Sequence, residues 1–185
     1  MKTPPRKRST AGTGSTPRID DVQELMAHAY AMEAEAAERY AEFADAMQAH
    51  NNPGVAELFR KLSRIEHLHA EQILEAMHWS APPPEPSGGY RWRGLGAPES
   101  GEHGELHYLM QPYHALLIAQ RNEERARRFF NAVMKGTSDP DVRTCAAELE
   151  EDEAEHVHLI EQWIARTPAP DPQWERDDDP PMLAD

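Results

Sequence analysis

Cysteine is almost absent from this chain: Cys145 stands alone among 185 residues. A single thiol excludes an internal disulfide and any cysteine-rich metal site. Long apolar runs are missing too. No stretch approaches the ~20 residues that cross a bilayer, and the N-terminus has no apolar signal region, so a cytoplasmic protein with no membrane partner is expected. Positive charge is scarce. Nineteen Lys and Arg face 33 Asp and Glu, and the net charge of −14 repels phosphate, which excludes nucleic acid as the main partner. Hydrophobic residues reach only 39%, but the 16 prolines cluster at the two ends and in the middle. Tails and a linker therefore dilute the core of a single domain.

What the chain does have is helical periodicity. Residues 1–18 are basic and rich in Pro, Gly, Ser and Thr, and read as a disordered tail. Asp20 or Asp21 caps a first helix whose inner stripe runs Val22, Met26, Ala29, Glu33, Ala36, Tyr40, Phe43 and Met47. Asn51-Asn52-Pro53-Gly54 is a turn, and the second stripe runs Val55, Leu58, Leu62, Glu66, His69, Ile73 and Met77. Residues 81–100 form a Pro/Gly-rich crossover linker, pinned by Trp92 or Tyr90, before a short helix over Glu102–Met110. Pro112 opens a third helix with Tyr113, Leu116, Gln120, Glu123, Ala126 (or Arg127), Phe130 and Val133 inward; Gly136 ends it. Asp139-Pro140 opens the fourth, with Val142, Cys145, Leu149, Glu153, His156, Ile160 and Trp163. Residues 168–185 read as an acidic disordered tail. The fold expected for 19–167 is all-α: an antiparallel four-helix bundle of ferritin-like connectivity, with a long crossover between helices two and three.

Four Glu-x-x-His pairs occur: Glu66/His69, Glu75/His78, Glu153/His156 and Glu155/His158. Glu and His three apart share a helix face and reach one metal ion, yet the spacing alone says little in so acidic a chain. Position separates them. Glu66 and His69 stand 13 and 16 residues after Pro53, and Glu153 and His156 stand 13 and 16 after Pro140. Glu33–Ala36–Tyr40 and Glu123–Ala126–Phe130 likewise share their offsets. The other two pairs fall at a helix end or off the stripe. The chain thus reads as two helical hairpins of one design.

Glutamates on helices are usually solvated, and Glu33 alone would imply nothing. Four carboxylates and two imidazoles together on inner faces imply more. Unpaired buried carboxylates are costly and repel one another, and no Lys or Arg lies on these faces unless Arg127 turns inward. Two divalent cations are the simplest compensation. A Glu from each of two helices plus Glu-x-x-His from the other two is the ligand set of di-iron carboxylate bundles, and these donors suit iron, with manganese possible, better than zinc.

The stretches Glu33-Ala-Glu-Ala-Ala-Glu-Arg-Tyr40, Glu66-His-Leu-His69, Asn122–Phe130 and Glu153-Ala-Glu-His156 resemble the rubrerythrin-like branch of ferritin-like proteins over about residues 20–166. The resemblance implies a di-iron centre that reduces hydrogen peroxide or dioxygen, often in a homodimer. It implies Glu33 and Glu123 as terminal or flexible carboxylates, Glu66 and Glu153 as bridges, His69 and His156 as terminal nitrogen ligands, and Tyr40 just behind them. With no C-x-x-C pair, the rubredoxin domain of full-length rubrerythrins is not expected, and an external electron donor is. Glu33 to Glu66 spans 33 residues but Glu123 to Glu153 only 30. This asks for a tighter second turn, or for Gln120 at ligand level; Glu123 is retained, with Glu124 second. The extra helix-three glutamate of the full rubrerythrin set looks missing, since Gln120 and Arg127 hold the neighbouring positions. His50, His78, His103, His107 and His114 read as surface or packing residues. The competing functions are ferroxidation and iron handling, a manganese catalase-like activity, and a metal-free helical scaffold.

Overall fold

The computed structural model describes residues 18–92, 97–99 and 103–177. Among them the helices are α1 (Val22–Ala49), α2 (Pro53–Ala76), α3 (Pro112–Gly136) and α4 (Pro140–Arg166), with a 3-10 turn at His103–Glu105 and no strand. Their starts follow from short polar side chains. The Asp21 carboxylate accepts from the Glu24 N–H at 2.8 Å, and Asp139 accepts from the N–H groups of Asp141 and Val142. Pro53, Pro112 and Pro140 occupy first-turn positions, where the missing N–H costs nothing. None of these described helices is long and apolar enough to cross a membrane.

The helices pack as two antiparallel hairpins, α1 along α2 and α3 along α4. Two apolar clusters fill the bundle. One joins Tyr40, Phe43 and Met47 of α1 to Val55, Phe59 and Leu62 of α2, to Leu116 and Ala119 of α3 and to Ile160 of α4. The other joins Leu25 and Met32 of α1 to Ile73 of α2, Phe130 and Val133 of α3 and Val142 of α4. Each fully buried Leu or Phe side chain contributes roughly 1.5–3 kcal/mol. The first cluster gathers the end of α1 with the starts of α2 and α3, so the segment from α2 to α3 must run the length of the bundle. This is the ferritin-like connectivity. Between the clusters lies a polar layer.

The turns differ from expectation in one respect. Both hairpins close over three residues, His50–Asn52 and Thr137–Asp139. The three-residue difference lies in the helices instead: Glu33 stands 16 residues before the end of α1 at Ala49, and Glu123 13 before the end of α3 at Gly136. α3 is one helical turn shorter on that side, and the turn itself is no tighter. Only the 3-10 turn stands within the helix expected over 102–110, and Glu102 lies outside the described residues.

The expected tails lie mostly outside the described residues, at 1–17 and 178–185. Residues 168–177 correct the reading of a disordered segment. Trp174 packs against the first cluster and against His114, ring centroids 3.9 Å apart, and the Tyr108 hydroxyl donates to Asp177 at 2.7 Å. A large indole with an apolar surface in reach gains more from burial than the local chain loses in freedom.

Candidate metal centre

The layer between the clusters is formed by the middle turns of all four helices. α1 supplies Glu33, α2 Glu66 and His69, α3 Glu123, and α4 Glu153 and His156. The four carboxylates are 3–7% exposed. They form two triads, Glu33/Glu66/His69 and Glu123/Glu153/His156, and within each the potential ligand atoms lie within 4.8 Å of one another. Each triad comes from one hairpin, as the repeat in the sequence requires.

The two triads match atom for atom. His69 Nδ1 is 3.5 Å from Glu33 Oε2 and 3.3 Å from Glu66 Oε2. His156 Nδ1 is 3.4 Å from Glu123 Oε2 and 3.3 Å from Glu153 Oε2. Near as these atoms are, His69 Nδ1 is buried without a hydrogen-bond partner, and so is Glu153 Oε2. In each triad the imidazole nitrogen and two carboxylate oxygens crowd together, which is how ligands of one ion are disposed. The orphaned nitrogen and oxygen fit a bound cation.

The electrostatics lead the same way. Burial pushes the Glu33 and Glu66 carboxyls up, against the pull of His69, and the Glu153 carboxyl up to about 7. Burial alone would lower the imidazoles, but the flanking carboxylates outweigh it. His69 is raised to about 10 and His156 to about 11. Without metal the layer therefore holds itself together with protons, and a divalent cation would displace them.

The alternatives weighed for α3 are placed elsewhere. Gln120 donates to Glu161 at 3.3 Å, Glu124 pairs with Arg128 at 3.4 Å, and Arg127 pairs with Glu150 at 2.6 Å, all on the surface. Tyr40 is 1% exposed, and its hydroxyl accepts from Asn122 Nδ2 at 2.9 Å. Burial and the nearby Glu123 push the phenol well above its usual range. Of the outlying histidines, His50 stacks near Tyr108, and His107 and His114 pack around Trp174. His78 lies at the exposed end of α2, and the side chain of His103 lies outside the described residues. Cys145, half-buried, sits 3.5 Å from the Met26 sulfur.

One residue escaped the sequence reading altogether. Glu99, in the segment expected to be only a linker, is 2% exposed, and its carboxylate lies with those of Glu33 and Glu153 within 4.8 Å. Burial and repulsion from Glu33 push its pKa far up. The linker is pinned where expected. Tyr90 and Trp92 stack 4.3 Å apart, and His28 meets both edge-on. His28 donates from Nδ1 to the Glu24 carbonyl and accepts the Arg91 N–H at Nε2. The crossover thus occupies the groove between α1 and α3. On the opposite side a pocket of about 330 Å³ opens between α2 and α4, with Glu33, His69, Glu153 and His156 among its walls.

The sequence model of the family described as Rubrerythrin matches residues 24–90, which carry the first triad and end inside the crossover. The crystal structure of an uncharacterized conserved protein from Magnetospirillum magnetotacticum MS-1 is similar to this chain. It is 40% identical, covers 82% of this chain and 98% of that one, and superposes with a TM-score of 0.58. No curated protein matches the chain.

Proposed function

We propose that this chain, which belongs to the rubrerythrin-like family of ferritin-like proteins, is a non-haem di-iron oxidoreductase that reduces hydrogen peroxide or dioxygen. The observation that carries the reading is the pair of matched triads, whose imidazole and carboxylate atoms gather within 4.8 Å and leave His69 Nδ1 and Glu153 Oε2 without a hydrogen-bond partner. Glu33, Glu66 and His69 would hold one iron, and Glu123, Glu153 and His156 the other. Such a metal pair, when bound and ferrous, would supply the two electrons that, with two protons, reduce hydrogen peroxide to two waters.

The chain's own residues bind, exclude and admit. The two apolar clusters close the layer at both ends, and the crossover covers it on the α1/α3 side. The pocket between α2 and α4 is lined by Gln72, Asp152 and Glu155 as well as Met26 and Leu149, and suits a small polar oxidant better than an organic substrate. Tyr40, held by Asn122, keeps its proton and fixes the layer on the α3 side. No described residue offers a second redox centre, so the electrons that restore the ferrous state would come from a separate donor.

The test is anaerobic Fe(II) loading, desalting, metal analysis and titration with peroxide followed by absorbance. About two irons per chain, oxidised by about one peroxide, supports the reading. No retained metal refutes it. Iron accumulating far beyond two per chain, in a large assembly, would favour ferroxidation and storage.

A further inference from the structure

We propose that Glu99 is a further carboxylate ligand of the metal pair, delivered by the crossover and not by a helix. The proposal rests on the di-iron reading above. Both Glu99 oxygens are buried without a hydrogen-bond partner among the described residues. Its surroundings are carboxylates, with one oxygen each of Glu99, Glu33 and Glu153 within 4.8 Å. A buried carboxylate facing other carboxylates is among the least favourable groups a fold can keep, and a cation between them removes the penalty.

The chain holds Glu99 in place from both sides. The Ala97 N–H donates to Glu35 Oε2 of α1 at 2.8 Å, and the Pro98 carbonyl accepts from Arg125 Nε of α3 at 2.6 Å. Arg125 also donates to the Asn122 side chain, whose amide donates to Tyr40. The guanidinium is thus engaged by a backbone carbonyl and a side-chain amide. The anchors fix the residues before Glu99 to α1 and α3, and its side chain enters the layer opposite the α2/α4 pocket.

Glu99 also has no counterpart. The two hairpins repeat each other, but the crossover exists once, and Glu99 meets Glu33 of one triad and Glu153 of the other. A ligand placed this way adds one negative charge to the pair. It favours the ferric state over the ferrous, and it makes the two metals inequivalent.

The experiment compares the full-length chain with Glu99→Gln, which keeps shape and loses charge. The readouts are Fe(II) affinity by competition with a chromogenic chelator, the midpoint potential of the loaded site, and the melting temperature with and without iron. Expected for the variant are weaker iron binding, on the order of tenfold, a raised potential, and a higher melting temperature when metal-free. The gain in melting temperature on loading therefore shrinks. Affinity and potential equal to wild type overturn the proposal, because a purely structural Glu99 would alter only the metal-free melting temperature. A crystal structure of the iron-loaded wild type decides without any variant: a Glu99 carboxylate turned away from both metals overturns it. Wild type that binds no iron sinks the di-iron reading itself. Two irons in wild type with an indifferent variant sinks only this inference.

Discussion

The imidazole rings of His69 and His156 lie face to face, centroids 4.4 Å apart and 5° from parallel. One comes from each hairpin, and each turns Nδ1 towards the two carboxylates of its own triad. Stacked imidazoles that both carry protons repel, so the pair is most comfortable when metal has replaced those protons.

Replacing either ring therefore has a defined outcome. His69→Ala and His156→Ala should each lower retained iron from about two per chain to about one or fewer, by elemental analysis after anaerobic loading. Two retained irons in either variant would sink the ligand assignment.

Acidity should separate the metal-free and loaded forms. The Glu153 carboxyl is raised from 4.5 to about 7 in the folded chain. The folded state then binds more protons than the unfolded one across that range, so its stability is full below 4.5 and declines as pH rises towards 7. Iron replaces those protons, and the rise in melting temperature on loading should grow over the same window. A rise that shrinks between pH 5 and 7 contradicts the expected linkage.

Tyr40→Phe removes the acceptor that serves Asn122 Nδ2, a fully buried donor. The loss should be about 1–2 kcal/mol by urea denaturation of the metal-free protein, with iron stoichiometry unchanged. A variant that loses iron would move Tyr40 from supporting group to ligand.

Trp92→Ala removes the ring that stacks on Tyr90 and meets His28. Trp92 is half-buried, so the loss in stability should be about 1–2 kcal/mol, below the cost of a fully buried ring. Limited proteolysis should cut the crossover faster than in wild type while the four helices stay intact. Equal cleavage rates would show that the crossover is held by its polar contacts at Arg91, Ala97 and Pro98 and not by the Trp92 ring.

The six-residue layer was legible in the sequence because helices translate spacing into position. An offset of 13 or 16 residues from a first-turn proline fixes both height and face. The same regularity drifts where the period is 3.6 and not 3.5, so the stripe counts Leu58 inward while the fully buried ring is its neighbour Phe59. Likewise Ala146, fully buried, lies deeper than Cys145. Glu99 was illegible for a different reason. It follows Ala97-Pro98 in a stretch with no period, and its entry into the layer depends on Glu35 and Arg125, 64 and 26 residues away in the chain. Trp174 was hidden the same way, as an aromatic residue in an acidic, proline-rich tail.

Asn52 caps α2 with its Oδ1, but its Nδ2 also donates to the carbonyls of Tyr108 and Met110, 56 and 58 residues further on. One side chain thus ends the first hairpin's turn and fastens the entry to α3. That contact forms only after the whole crossover has travelled the bundle, and closing so long a loop costs entropy before any contact repays it. The α1–α2 hairpin is made of local contacts and has no such wait. Refolding should accordingly be two-paced: hairpins quickly, and the Asn52 latch, with the crossover behind it, last.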